Sequence, residues 1–175
     1  MKNIFKILLL SAIVLHSGCL AQAPANVNVQ NPTFDNRLEL LLSFSVPVID
    51  VNDLAETKDN YLILDAREME EYEVSHIEGA EYIGYDNPKF EMLNDIPKDQ
   101  PIVLYCSIGY RSEKLGEKLK KQGYTNVQNL YGSIFEWTNE GLPLVDKKGQ
   151  PTDKLHTFNK RWSKWVEDGK AEKVW

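Results

Sequence analysis

Apolar residues fall in short runs, separated by charged stretches in which the hydrophobic positions recur at helical spacing. Phe34, Leu38, Leu41 and Leu42 alternate with Asp35, Asn36, Arg37 and Glu39, which predicts a short amphipathic helix over 33–43. Residues 46–49 are a strand candidate, and Asp50 or Asn52 can cap a helix over 53–56. The apolar run 61–64 ends at Asp65 and is followed by a charged helix over 68–74 and a weak strand over 80–83. Residues 101–105 (PIVLY) form a buried-strand pattern bounded by Pro101. The helix predicted over 112–122 carries Leu115 and Leu119 on one face and Lys114, Lys118 and Lys121 on the other, and Gly123 ends it. A strand over 127–130 and a helix over 134–139, stopped by Gly141 and Pro143, complete the pattern. Short apolar strands alternating with helices imply an α/β domain with a central, mostly parallel sheet flanked by helices. In such sheets, sites form beyond the carboxyl ends of the strands.

The two ends depart from this pattern. Lys2 and Lys6 precede an apolar core over 7–15, too short to span a bilayer well, so residues 1–23 are expected to be an export signal. The stretch 15–19 resembles the lipobox of bacterial lipoproteins, with Cys19 as the candidate for lipidation; it departs from that pattern at His16. The alternative is cleavage after Ala21 or Ala23, which gives a soluble exported protein. Either way the chain is expected to be exported, periplasmic or membrane-anchored, and to touch a membrane only through a lipid at Cys19. Residues 24–32 carry no charge and read as a spacer, so 24–45 is taken as spacer plus short helix, and 46–145 as the domain. In the extension 146–175, Phe158, Trp162, Trp165 and Val166 fall on one face of a helix. A C-terminal helical tail is expected there, packing its aromatics on the domain or docking a protein partner.

Composition narrows the functions. A formal net charge of −6 disfavours nucleic acid as a partner, because phosphate neutralisation needs a basic face. Two Cys and three His leave little for a metal site, and no metal or cofactor is expected. Cys19 belongs to the signal region, which leaves Cys106 as the thiol of the folded domain.

Cys106 stands in a telling place. It directly follows the 101–105 strand and opens the loop Ser107, Ile108, Gly109, Tyr110, Arg111, Ser112, which leads into a helix. A helix start leaves backbone N–H groups without partners, and a tight loop containing a glycine can turn them inward as an anion nest. The helix dipole and the Arg111 charge add to that field. A thiol in such a nest is expected to ionise at lower pH than a free cysteine and to act as a nucleophile. The competing interpretation of Cys106 is a small buried hydrophobe.

This loop resembles the Cys-x-x-Gly-x-Arg-Ser active-site loop of the rhodanese-like sulfurtransferases. Two further stretches resemble that family. One is Asp65-Ala66-Arg67, with Glu71-Tyr72 and then Ser75-His76-Ile77-Glu78-Gly79-Ala80; the other is Leu130-Tyr131-Gly132, with Trp137 and then Gly141-Leu142-Pro143. The resemblance spans about 46–145. It departs at Ser75 and at Ser133, where glycines are usual.

The resemblance implies a rhodanese-like fold and a Cys106 that takes a sulfane sulfur from an anionic donor, thiosulfate or a persulfide, and passes it to a thiol or cyanide. The loop groups Ser107, Ile108, Gly109, Tyr110, Arg111 and Ser112 would then bind substrate, with Arg111 at the rim attracting anions. Asp65, Arg67, Glu71 and His76 are expected to support the loop, Arg67 and Glu71 pairing four residues apart on a helix. Phosphatase relatives have five residues between Cys and Arg; the four here make a smaller cradle suited to sulfur. The alternative to a free enzyme is a sulfur-relay or binding module that serves a protein partner.

Overall fold

The computed structural model describes residues 27–175. Residues 1–23, where an export signal is expected, and with them Cys19, lie outside the described residues. Five short parallel strands form the central sheet: β1 (Val48–Ile49), β2 (Leu62–Asp65), β4 (Glu81–Tyr82), β5 (Ile102–Tyr105) and β6 (Val127–Leu130). Their order is β1-β6-β5-β2-β4, so β5 is the central strand. Alternation along β5 explains why it reads as a continuous apolar run. Ile102 and Leu104 enter one hydrophobic cluster, Val103 and Tyr105 the other, and both faces are covered. Cys106 continues the phase of Ile102 and Leu104 and is buried.

Among the described residues five α-helices flank the sheet: α1 (Pro32–Leu41), α2 (Val51–Thr57), α3 (Met69–Val74), α4 (Tyr110–Lys121) and α5 (Ser133–Asn139). Local chemistry sets their starts. The Asn31 side chain accepts from the N–H groups of Thr33 and Phe34, and Asp50 accepts from Asn52. Glu68 and Glu71 form a reciprocal capping box on α3. A small sheet joins β3 (His76–Ile77), β7 (Leu144–Val145) and β8 (Pro151–Thr152) antiparallel.

The C-terminal extension is not a helix. After β8 it forms β9 (Lys154–His156) and a single 3₁₀ turn at Ser163–Trp165, and returns as β10 (Glu172–Val174), parallel to β9. Phe158 has φ of 65°, which no helix accommodates, and the Asn159 side chain accepts from the N–H groups of Arg161 and Trp162, making a local turn. Trp165 and Val166 are buried nonetheless. Apolar character in the sequence therefore marked Trp165 and Val166 as packing residues, but not Phe158, which is half exposed, nor the backbone that carries them.

The 24–32 spacer also needs correcting where it is described. Val27 and Val29 are buried in the core, and the Gln30 N–H donates to the buried Glu136 at 2.8 Å. The two flanks meet: Phe34 of α1 stacks on Trp165 at 5.3 Å, and Arg37 lies over the Trp162 ring.

Candidate active site

Cys106 leaves β5 at its carboxyl end and enters a loop in which the Cys106, Ser107 and Gly109 carbonyls are drawn outward. Cys106 O accepts from Ile134 N–H and Ser107 O from Phe135 N–H, both at 3.2 Å, at the start of α5. Gly109 O accepts from the Asn129 side chain at 3.0 Å and from Glu113 N–H. With the carbonyls held away, N–H groups face the sulfur, and that of Gly109 donates to Cys106 Sγ at 3.1 Å. Gly109 has φ of 108°, a conformation that L side chains rarely adopt, and this turns its N–H inward.

Burial alone raises a thiol. Here the Arg111 charge and the N–H groups of Ser112 and Ile108 outweigh burial and bring the Cys106 thiol below its ordinary value. The loop therefore stabilises the sulfur anion by fixed donors. Any negative charge that develops on a sulfur bound to Cys106 would meet the same donors.

Arg111 stands beside the loop with its fork closed. Nη1 and Nη2 reach the two Glu71 oxygens at 2.7 and 2.8 Å, and Nη2 also donates to Ser107 Oγ at 3.0 Å. Ser107 Oγ donates in turn to Glu71 at 3.0 Å. Burial pushes the Glu71 carboxyl up, but the Arg111 pair, the nearby Arg67 charge and the Glu68 N–H prevail and hold it below the usual carboxylate range.

The expected Arg67–Glu71 pair does not form. Arg67 precedes the α3 cap and points the other way, into a fully buried pair with Asp65: its Nη2 is 2.6 Å from Oδ2 and also donates to Ser75 O. The helical i,i+4 rule fails because only Glu71 is in the helix. Tyr105 lies against this pair and accepts from Ile77 N–H. His76 sits with Nδ1 3.1 Å from Tyr72 O and stacks on the Tyr72 ring. Ser75 keeps an extended backbone, φ −167°, which any residue adopts.

Three features of the site escaped the sequence. Asn129 on β6 bridges the loop: it donates to Gly109 O and accepts from Ser112 Oγ at 2.7 Å. Its signal was an amide in a strand, Asn129 in the VQNL of β6. Ser133 accepts from Cys106 N–H at 3.1 Å and donates to Leu130 O, while its own φ is 55°. The third is a roof. Leu41 of α1 and Phe158 and Trp162 of the extension join Ile108, Tyr110, Ser107, Arg111 and Cys106 around a cavity of about 240 Å³. Among the described residues no group of His, Cys, Asp or Glu gathers to hold a metal ion.

A family model, the rhodanese-like domain, matches residues 50–140, which take in the Asp65 motif, the Cys106 loop and Ser133. The chain belongs to the rhodanese-like domain family.

The curated relatives include a sulfurtransferase of Allochromatium vinosum, 44% identical over 57 residues, covering 33% of this chain and 53% of that protein. A putative sulfur carrier protein of Bacillus subtilis is 32% identical over 99 residues, covering 55% of this chain and 53% of the relative. The chain thus spans about half the length of these two. Solved structures give the same fold. A rhodanese-like domain from Anabaena superposes with a TM-score of 0.53 at 22% identity, over 57% of this chain and 79% of that one. Thiosulfate sulfurtransferase from Pseudomonas aeruginosa superposes with a TM-score of 0.54 at 20% identity, over 70% and 24%. The roof residues Leu41, Phe158 and Trp162 all lie outside the stretch that the rhodanese-like model matches.

Proposed function

We propose that this rhodanese-like protein is a sulfurtransferase in which Cys106 carries the sulfur. The observation that supports it best is the cradle: Cys106 Sγ receives the Gly109 N–H at 3.1 Å in a loop whose Cys106, Ser107 and Gly109 carbonyls are bonded elsewhere. The Cys106 thiolate attacks the sulfane sulfur of thiosulfate, the S–S bond breaks, and sulfite leaves with the electron pair. A persulfide donor reacts in the same way and releases its thiol. The Cys106 persulfide then gives its outer sulfur to cyanide or a thiol, and the thiolate returns. Arg111 acts on this sequence through its charge on the sulfur. Asp65, Arg67, Glu71 and His76 keep β2, α3 and the loop in place.

Treating the protein with a sulfane donor and reading intact mass tests this directly. One added sulfur is expected on the wild type and none on Cys106→Ser, and cyanide should remove it as thiocyanate. Failure of thiosulfate and of every persulfide to load Cys106 would overturn the proposal. Similarity to a putative sulfur carrier supports a second reading, a relay that loads but discharges to a protein partner. In that case sulfur stays on Cys106 in the presence of cyanide and small thiols. Export with Cys19 lipidated is proposed from the 15–19 stretch; Cys19→Ala should then leave the membrane fraction.

A further inference from the structure

We infer that the physiological donor is an organic persulfide whose carrier group is small and apolar, held under the roof of Leu41, Phe158 and Trp162. This rests on the proposed Cys106 sulfur transfer and names the substrate class for it.

The cavity over Cys106 is a hydrocarbon one. Leu41, Ile108, Phe158 and Trp162 supply its walls, with Tyr110 at the edge. Its single cation is Arg111, whose fork is already closed on both Glu71 oxygens and whose outer face lies against the Phe158 ring at 5.4 Å. A free guanidinium would compensate the desolvation of a sulfonate. A paired one offers little, and burying a charge without a new partner is costly. Thiosulfate brings two charges into this space. A persulfide enters as neutral R–S–SH and adds no charge: the negative charge of the Cys106 thiolate passes to the departing sulfur, and the rest of the molecule can be apolar. At about 240 Å³ the cavity falls below the ~300–1,000 Å³ typical of drug-sized ligands, which fits a short alkyl or single-ring group.

Phe158 gives an independent reason. It is half exposed, yet it is held at φ 65°, where a bulky residue is strained. The His156 ring supports that turn by accepting from Phe158 N–H at 3.2 Å. Nothing in core packing requires an aromatic there, because the ring faces the cavity mouth and Arg111. Strain retained at a site mouth is expected where the side chain has work to do on a ligand.

The transfer balances without another reagent. The Cys106 thiolate attacks the outer sulfur of R–S–SH, the S–S bond of the donor breaks, and R–S⁻ leaves with the pair. The proton stays on the outer sulfur, now Cys106–S–SH. The roof holds R while the inner sulfur departs.

Loading rates of Cys106 from phenylethyl persulfide, glutathione persulfide, inorganic polysulfide and thiosulfate, read as added sulfur by intact mass, test this. The apolar persulfide should load fastest. Phe158→Asn removes the ring and suits a positive φ, so the fold is retained; Leu41→Ser removes the opposite wall. Each should lower the preference for phenylethyl over glutathione persulfide about tenfold, the scale on which a hydrophobic pocket discriminates. If all donors load Cys106 at similar rates, or both variants keep the wild-type preference, the inference is overturned while sulfur transfer stands. If no donor loads Cys106, both fall together.

Discussion

At Ser133 a residue in left-handed backbone holds the Cys106 N–H. Two effects oppose each other there. The hydroxyl satisfies the buried Cys106 N–H and reaches Leu130 O, while φ of 55° strains any side chain. Ser133→Ala keeps the strain and loses both bonds, so it should destabilise by about 2 kcal/mol. Ser133→Gly loses the same bonds but relaxes the backbone, recovering roughly 1 kcal/mol. Urea unfolding of the pair should therefore rank Gly above Ala, and the reverse order would remove the strain from the account. Individual residues of the Cys106 loop were legible because they are contiguous and their types carry the chemistry. Asn129 and Ser133 were not, because they act across 20 and 27 residues of sequence. A polar side chain on a strand does not announce which loop it will meet.

Elements were more readable than their pairings. Helix α3 was readable as a charged stretch over 68–74, although its Glu68–Glu71 capping box shows only in the structure, and α4 follows from its leucine stripe and Gly123. The ion pair was misread, because two carboxylates and two arginines lie close together and only packing decides between them. The result is that α3 and the start of α4 are tied by one buried pair, Glu71 with Arg111. Its stability has a definite pH sign. The folded Glu71 carboxyl lies below its unfolded value, so the contribution is complete above the unfolded carboxylate range, near pH 4.3, and drains away as pH falls through the folded value. Glu71→Gln should cost about 3 kcal/mol at neutral pH, because Arg111 is left half-paired in a largely buried place. Its unfolding free energy should also depend less on pH below ~4.3 than the wild type's. A parallel acid profile in both proteins would show that Glu71 does not carry this linkage.

On the scale of the whole molecule, α5 fastens both flanks. Glu136 receives the Gln30 N–H, and Asn139 donates to Trp165 O and accepts from Glu167 N–H. Asn139→Ala strands two backbone groups of the extension and should cost about 2 kcal/mol. The extension should also become the first site of limited proteolysis; unchanged cleavage would mean that the Phe34–Trp165 stack suffices. The flanks were the least legible part of the chain. Val27 and Val29 sit among Asn and Gln, with no charge pattern to mark a face, and the tail aromatics satisfied a helical period by coincidence of spacing. The centre of the sheet was legible because β5 and most of β2 are buried and apolar, and their composition says so.

The roof over Cys106 separates two things that a single loop would otherwise decide together. Under the proposed sulfur transfer, bond making belongs to the loop inside the matched stretch, whereas three of the walls that would choose what may approach it belong to segments on either side. Such an arrangement lets lineages change diet without changing chemistry: the flanks can drift to admit new donors while the cradle stays intact. It follows that two proteins with the same Cys-to-Arg loop need not share a substrate, and that kinship in the loop is a poor guide to what each is fed.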